Sequence, residues 1–203
     1  MSYDRLCEAV RMCEACPLGT QGRGVPGMYV GDEAPTMMVL GEAPGGVEVA
    51  QGKPFVGGSG QLLHSLLKEA GLTSYYVSNI AKCRPWVVRG KQQAPDKAAI
   101  EACAPFLRAE FDLIRPSKLV LLGKTAAKLV CEGNFAMKDV VNQTFEYKGI
   151  PTLVLYHPSY FLRSRTAPWS QKQIREWKGA VRLFLGDKAP VYQVERVLCP
   201  THP

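Results

Sequence analysis

The run Val39-Leu40-Gly41-Glu42-Ala43-Pro44-Gly45-Gly46-Val47-Glu48 sets the architecture of the chain. The apolar segment Met37-Met38-Val39-Leu40 reads as a buried strand that stops at Gly41. Gly41, Pro44, Gly45 and Gly46 then bend the backbone, and two carboxylates, Glu42 and Glu48, ride on that bend. A strand running into a glycine-rich turn with acid groups is where an open α/β sheet places a ligand, beyond the carboxyl end of the strand. The plain alternative is an ordinary strand-to-helix turn with exposed glutamates.

Outward from this turn, three further apolar strands follow: Tyr75 to Ile80, Lys118 to Leu122 and Thr152 to Tyr156. Between them lie helical patterns over 61–70, 95–114 and 124–130, with another over 171–185 and a short amphipathic one over 2–12. Strands alternating with helices predict a three-layer α/β/α fold around a central four-stranded parallel sheet. Residues 18–35 are rich in Gly and Pro and predict irregular covering structure. Residues 134–148 predict a loop or irregular hairpin. A single domain over 1–186 with a tail over 187–203 is expected. In this arrangement Glu42 follows the first strand, Asn79 ends the second and His157 follows the fourth, so all three meet along one rim.

At 203 residues the chain suits one well-filled core. Charged residues at 21% and apolar residues at 46% are those of an ordinary globular protein. No apolar run approaches membrane-spanning length and the first residues carry no signal-like pattern, so a soluble, cytoplasmic monomer is expected. The net charge of +7, with a pI near 9.1, favours a polyanionic partner.

Seven cysteines, Cys7, Cys13, Cys16, Cys83, Cys103, Cys131 and Cys199, are an odd number for a chain whose thiols should stay reduced. Metal or cluster ligation is the better reading for the polar-flanked ones. The Cys13-x2-Cys16 pair, followed by Pro17, places two thiols on one turn. Cys131 reads as a small core residue and His64 as structural. Phe55 stands between Pro54 and glycines, either as a core plug or as a stacking surface near the acidic turn. Arg84, Arg89 and Lys91 cluster about Trp86 in a basic loop, a pattern suited to a nucleic-acid backbone.

Taken together, Gly41-Glu42-Ala43-Pro44-Gly45, Gly52-Lys53-Pro54-Phe55-Val56-Gly57, Asn79, Lys82-Cys83-Arg84-Pro85 and His157-Pro158-Ser159-Tyr160-Phe161-Leu162-Arg163 resemble the signature set of family-4 uracil-DNA glycosylases. The resemblance covers roughly residues 6–186, in order. It implies a monofunctional enzyme of base excision repair that flips uracil out of DNA and hydrolyses its glycosidic bond, leaving an abasic site. In that reading His157 stabilises charge developing on the base and Glu42 orients water or offsets the sugar cation. Gly41, Glu48, Phe55 and Asn79 contact the uracil, with Phe55 stacking, Asn79 reading the base edge and Glu48 filling the space of a thymine methyl. Ser159, Leu162 and Arg163 meet the DNA, the leucine as a wedge and the arginine on phosphate, joined by Arg84, Arg89 and Lys91. Cys13, Cys16, Cys83 and Cys103 would hold a structural [4Fe–4S] cluster, with zinc as the other group that four thiols suit.

Two features depart from the family pattern. Gly46-Val47-Glu48-Val49 lacks the usual further acidic or polar residues, and the Cys83-to-Cys103 interval is long, with its excess in Trp86–Gln93. One branch of the superfamily traps DNA covalently through a histidine in such a loop, but this chain has no histidine between His64 and His157. A uracil-DNA-binding protein that does not turn over, or a glycosylase for another deaminated or modified base, are the competing readings. A dinucleotide enzyme is weaker: the first turn lacks G-x-G-x-x-G and no acidic residue ends the second strand.

Overall fold

The computed structural model describes residues 1–31, 34–162 and 166–187. In chain order it contains α1 (Tyr3–Arg11), a 3-10 turn (Pro17–Gln21), β1 (Met28–Val30), β2 (Met37–Gly41), α2 (Gly46–Gln51), α3 (Gly58–Ala70) and β3 (Tyr75–Asn79). There follow β4 (Val87–Val88), β5 (Lys91–Gln92), α4 (Lys97–Ile114), β6 (Lys118–Leu122), α5 (Gly123–Ala127) and α6 (Met137–Val140). The described chain ends with β7 (Thr144–Tyr147), β8 (Ile150–Leu155), α7 (Ser159–Leu162) and α8 (Pro168–Leu185).

The sheet order is β1-β3-β2-β6-β8-β7. Its inner four strands are parallel, as the alternating pattern predicts. The expected four-stranded sheet is widened by two antiparallel edge strands, β1 on β3 and β7 on β8. Both are short, three and four residues, so they carry too little periodicity to stand out from loop. Residues 134–148, expected as a loop or irregular hairpin, hold the short α6 and β7, and β7 pairs with β8 beyond that range; β1 corrects the irregular reading of 18–35.

Successive residues of each inner strand enter opposite layers, because side chains alternate along a strand. Val39, Val77, Val120 and Leu155 face α3 and α8, meeting Leu63, Leu67, Trp177, Val181 and Phe184. Met38, Leu40, Tyr76, Leu121 and Val154 face the other way, onto Leu107 of α4 and Ala126 and Ala127 of α5. Cys131 packs in that second layer, as expected. Burial on both faces is why these strands read as unbroken apolar runs.

Local chemistry fixes the ends of the helices. Ser2 caps α1 through Arg5 N at 3.4 Å, and Asp96 caps α4 through Ala99 N at 2.7 Å. Gly71, at φ +98°, closes α3 in the left-handed conformation that glycine tolerates. No helix among the described residues is long and apolar enough to cross a membrane.

The chain runs from β2 to β3 on one side, then crosses by α4 to β6 on the other. The strand order therefore reverses between β2 and β6. A crevice opens at the carboxyl ends there, since the connections leave in opposite directions.

Candidate active site

The crevice holds a cavity of about 420 Å³ lined by Glu42, Gly45, Glu48, Phe55, Ser59, Asn79, Gln92, Gly123, Lys124, His157 and Ser159, among others. This is a volume suited to a small ligand. Glu42, Asn79 and His157 reach it from the ends of three different parallel strands. Beyond the strand ends, Ile80 N donates to Gly41 O at 2.9 Å and Ala81 N to Glu42 O at 3.0 Å, locking the two turns together.

The acidic turn is more ordered than its glycines suggest. Gly46–Gln51 is a short helix, and Glu48 at its third position is buried. Glu48 Oε2 accepts from Gly45 N at 3.1 Å, and Oε1 accepts from Gly57 N at 2.8 Å. One carboxylate thus clamps the acidic turn to the Phe55 loop. Glu42 accepts a short hydrogen bond from the Thr125 hydroxyl on α5.

Phe55 is buried and adopts φ +55°, an uncommon conformation for a residue with a side chain. Gly60 permits it: a Cβ there would lie 1.9 Å from Phe55 O. That carbonyl accepts from His64 Nε2 at 3.1 Å, while His64 Nδ1 faces the Tyr75 hydroxyl at 2.5 Å. His64 thus holds the Phe55 loop from below. The Phe55 ring lies 6.0 Å from that of His157, tilted by 33°.

His157 is half-buried at the head of α7. Ser159 N donates to its Nδ1 at 3.2 Å, and the Ser159 hydroxyl lies 2.9 Å from the same atom. A backbone amide only donates, so Nδ1 is the acceptor and the neutral ring carries its proton on Nε2. Burial lowers the His157 pKa to about 4, against a weaker upward pull from Glu48. The side chain is a neutral donor at physiological pH.

A match to the family model of the uracil DNA glycosylase superfamily spans residues 28–179, which takes in every strand and the whole crevice. The chain belongs to that superfamily. A type-4 uracil-DNA glycosylase of Thermotoga maritima is 36% identical over 78% of this chain and 82% of its own length. Those of Pyrobaculum aerophilum and Archaeoglobus fulgidus are each 32% identical, over 80% and 79% of this chain and 86% and 83% of their own lengths.

The remaining predicted residues of this glycosylase-superfamily chain, Arg163 apart, fall at the end of α7, on the basic loop and at the cysteine site. Leu162 is exposed at the end of α7, its Cδ1 4.0 Å from where a Cβ would stand on Gly58. Arg163 lies outside the described residues, as do Cys199 and the tail beyond Asp187. The basic loop is a small hairpin, β4 on β5, with Arg89 and Gly90 at its turn and Trp86, Val87 and Val88 exposed. Arg84 and Lys91 are exposed too, and the Arg84 guanidinium sits over Gly46.

Four thiols gather on the flank. Cys13 and Cys16 precede and open the 3-10 turn, Cys83 follows β3 and Cys103 lies in α4. Burial pushes the Cys83 thiol up to about 12, with Cys103, Cys16 and Cys13 each adding to the rise, so those three lie within electrostatic reach of Cys83. Ala15 N donates to Cys13 Sγ at 3.5 Å and Lys82 N to Cys103 Sγ at 3.4 Å. Among the described residues, no three His, Cys, Asp or Glu side chains close around a single ion.

Sequence reasoning passed over Gln92 and Thr125. Gln92 lines the cavity and donates from Nε2 to Pro44 O at 3.2 Å, tying the basic hairpin to the acidic turn. Thr125 follows Gly123, which stops the third parallel strand as Gly41 stops the first. That repeated strand-then-glycine signal marks a second edge of the crevice.

Proposed function

We propose that this chain removes uracil from DNA by hydrolysing its glycosidic bond, acting as a monomeric, monofunctional glycosylase. The observation that carries the reading is the neutral imidazole of His157, with its proton on Nε2, on the same cavity as Phe55 and Asn79.

A base stacked in DNA cannot enter a side-chain-lined cavity, so the nucleotide must be flipped out. The Phe55 ring offers the base a flat face. The Asn79 amide meets the O4 and N3–H edge; cytosine presents the opposite donor pattern there and leaves buried groups unpaired. Glu48, held rigid by Gly45 and Gly57, forms a wall against the bulk of a 5-methyl group.

Cleavage places negative charge on uracil and positive character on the sugar. His157 Nε2–H donates to O2 as that charge grows, from a ring that is already neutral. Glu42, oriented by Thr125, positions water or offsets the sugar cation. Leu162 fills the vacated stack, while Ser159, Arg163, Arg84, Arg89 and Lys91 hold backbone phosphates.

The donor set of Cys13, Cys16, Cys83 and Cys103, four thiols of which two accept backbone N–H, suits a [4Fe–4S] cluster. Bound there, the cluster would supply cohesion rather than chemistry, with Cys13 and Cys16 tying the N-terminal turn to Cys103 of α4. Equal iron and acid-labile sulfide in the purified protein supports this assignment; stoichiometric zinc replaces it.

The function is tested with an end-labelled oligonucleotide carrying one uracil, heated in alkali after incubation. Cleavage at the uracil only after alkali supports excision to an abasic site. An intact strand, from protein with its cysteine site loaded, overturns excision. A slow band that survives denaturation indicates a covalent trap.

A further inference from the structure

Lys82 is fully buried, yet it lies just beyond the strand that ends in the base-reading residue. Its Nζ donates to Glu110 Oε2 at 2.7 Å, Ser78 Oγ at 2.8 Å and the backbone carbonyl of Asn79 at 2.8 Å. Those three acceptors use all three ammonium protons. Glu110, also buried, is filled in turn: Oε1 accepts from Ser78 Oγ at 2.9 Å and from the Tyr76 hydroxyl at 3.2 Å. The Lys82 backbone is pinned on both sides, its N–H on Cys103 Sγ and its carbonyl on Val25 N at 2.7 Å.

A buried ion pair is a poor way merely to hold a helix on a sheet, since well-packed apolar residues do so at no desolvation cost. What an apolar residue cannot do is hold a carbonyl. We propose that Lys82, anchored by Glu110, is a positioning residue that fixes the Asn79 backbone and so sets the Asn79 amide in the base pocket. This inference rests on Asn79 reading the uracil edge. It makes one residue the join between the cysteine site, through its N–H and its neighbour Cys83, and base recognition, through its side chain.

The test is the double variant Lys82→Met/Glu110→Gln, which removes both buried charges and leaves an acceptor for Ser78 and Tyr76. It is compared with Ser78→Ala, a milder cut into the same network, each in wild-type and Asn79→Ala backgrounds. The readouts are kcat/KM on the uracil oligonucleotide, inhibition by free uracil, and thermal midpoint. The double variant is expected to fold, to lose roughly 10- to 100-fold in kcat/KM and to bind free uracil more weakly by a similar factor. With Asn79→Ala already present, the same changes should cost less than about twofold, because the group being positioned is gone. Ser78→Ala should show the same pattern at smaller amplitude and decides the matter if the double variant does not fold. Wild-type kcat/KM in a folded variant, or an undiminished loss in the Asn79→Ala background, overturns the positioning role while leaving uracil excision intact. A wild-type protein that releases no uracil overturns both.

Discussion

The amide of Ser159 points at Nδ1 of His157 from 3.2 Å, and that contact decides which ring nitrogen can serve the substrate. Because Nδ1 must accept, Nε2 holds the only proton of the neutral ring. The pKa of about 4 keeps the ring in that form through the physiological range. His157→Ala should therefore lower kcat by roughly 10²- to 10³-fold, the usual cost of one preorganised donor to a developing anion, with little change in KM. Single-turnover kinetics measures this; an unchanged kcat would remove His157 from the chemistry.

The same depressed pKa has a pH signature. An unfolded histidine takes up its proton near 6.5, ahead of the folded one near 4. The unfolded state thus binds more protons across that interval. Stability from this group is intact above about pH 6.5 and drains away as pH falls from there towards 4. The rate should show no step near 6.5. Denaturant midpoints at pH 7.5 and pH 5 should fall further for the wild type than for His157→Asn, which cannot titrate.

Gly41 lies between Phe55 and Asn79. A Cβ at this position would stand 2.5 Å from Phe55 Cζ and 2.6 Å from Asn79 Oδ1. Gly41→Ala must push one or both aside, closing the slot into which the base would slide. Uracil excision should fall by about 100-fold, and the thermal midpoint should drop as well, since the displaced Phe55 and Asn79 side chains are buried. Wild-type kcat/KM in this variant would show that the base does not lie between those two side chains.

The parallel core and the meeting of Glu42, Asn79 and His157 on one rim follow from patterns the sequence displays openly. Strands buried on both faces must be apolar throughout, and glycines must stop them where the chain turns. Other features were hidden because their cause is tertiary. The short helix at Gly46–Gln51 has poor propensity and exists because Glu48 is shared between Gly45 N and Gly57 N. The edge strand Met28–Val30 is three residues long and has form only because β3 offers it a partner. Gln92 carries no local signal, and the glycine before Thr125 marks the crevice edge without marking the threonine; their roles come from what the fold sets beside them.

Glu48 is a clamp as well as a wall in the proposed pocket, since it holds the Gly45 and Gly57 amides together. Glu48→Ala strips two buried backbone amides of a charged acceptor. At about 1.5–3 kcal/mol for a hydrogen bond to a charged group, the loss should be several kcal/mol at most, and less where water enters. Glu48→Gln retains one acceptor oxygen and should recover part of it. Urea unfolding would order the three proteins as wild type, Gln, then Ala. Equal stability of all three would mean that the two loops hold each other without Glu48.

Thr125 offers a finer cut at the role of Glu42. Its hydroxyl bonds to one carboxylate oxygen, leaving the other for water or for the sugar cation. Glu42→Gln removes the charge and should cost about 10²- to 10⁴-fold in kcat, the range for a positioned base. Thr125→Val keeps the shape and the charge but frees the carboxylate to rotate. It should cost less, about 10-fold, since the group is misplaced rather than lost. In a Glu42→Gln background Thr125→Val should add little, because the two residues act as one unit. Multiplicative losses in the double variant would mean instead that Thr125 meets the substrate itself, independently of Glu42.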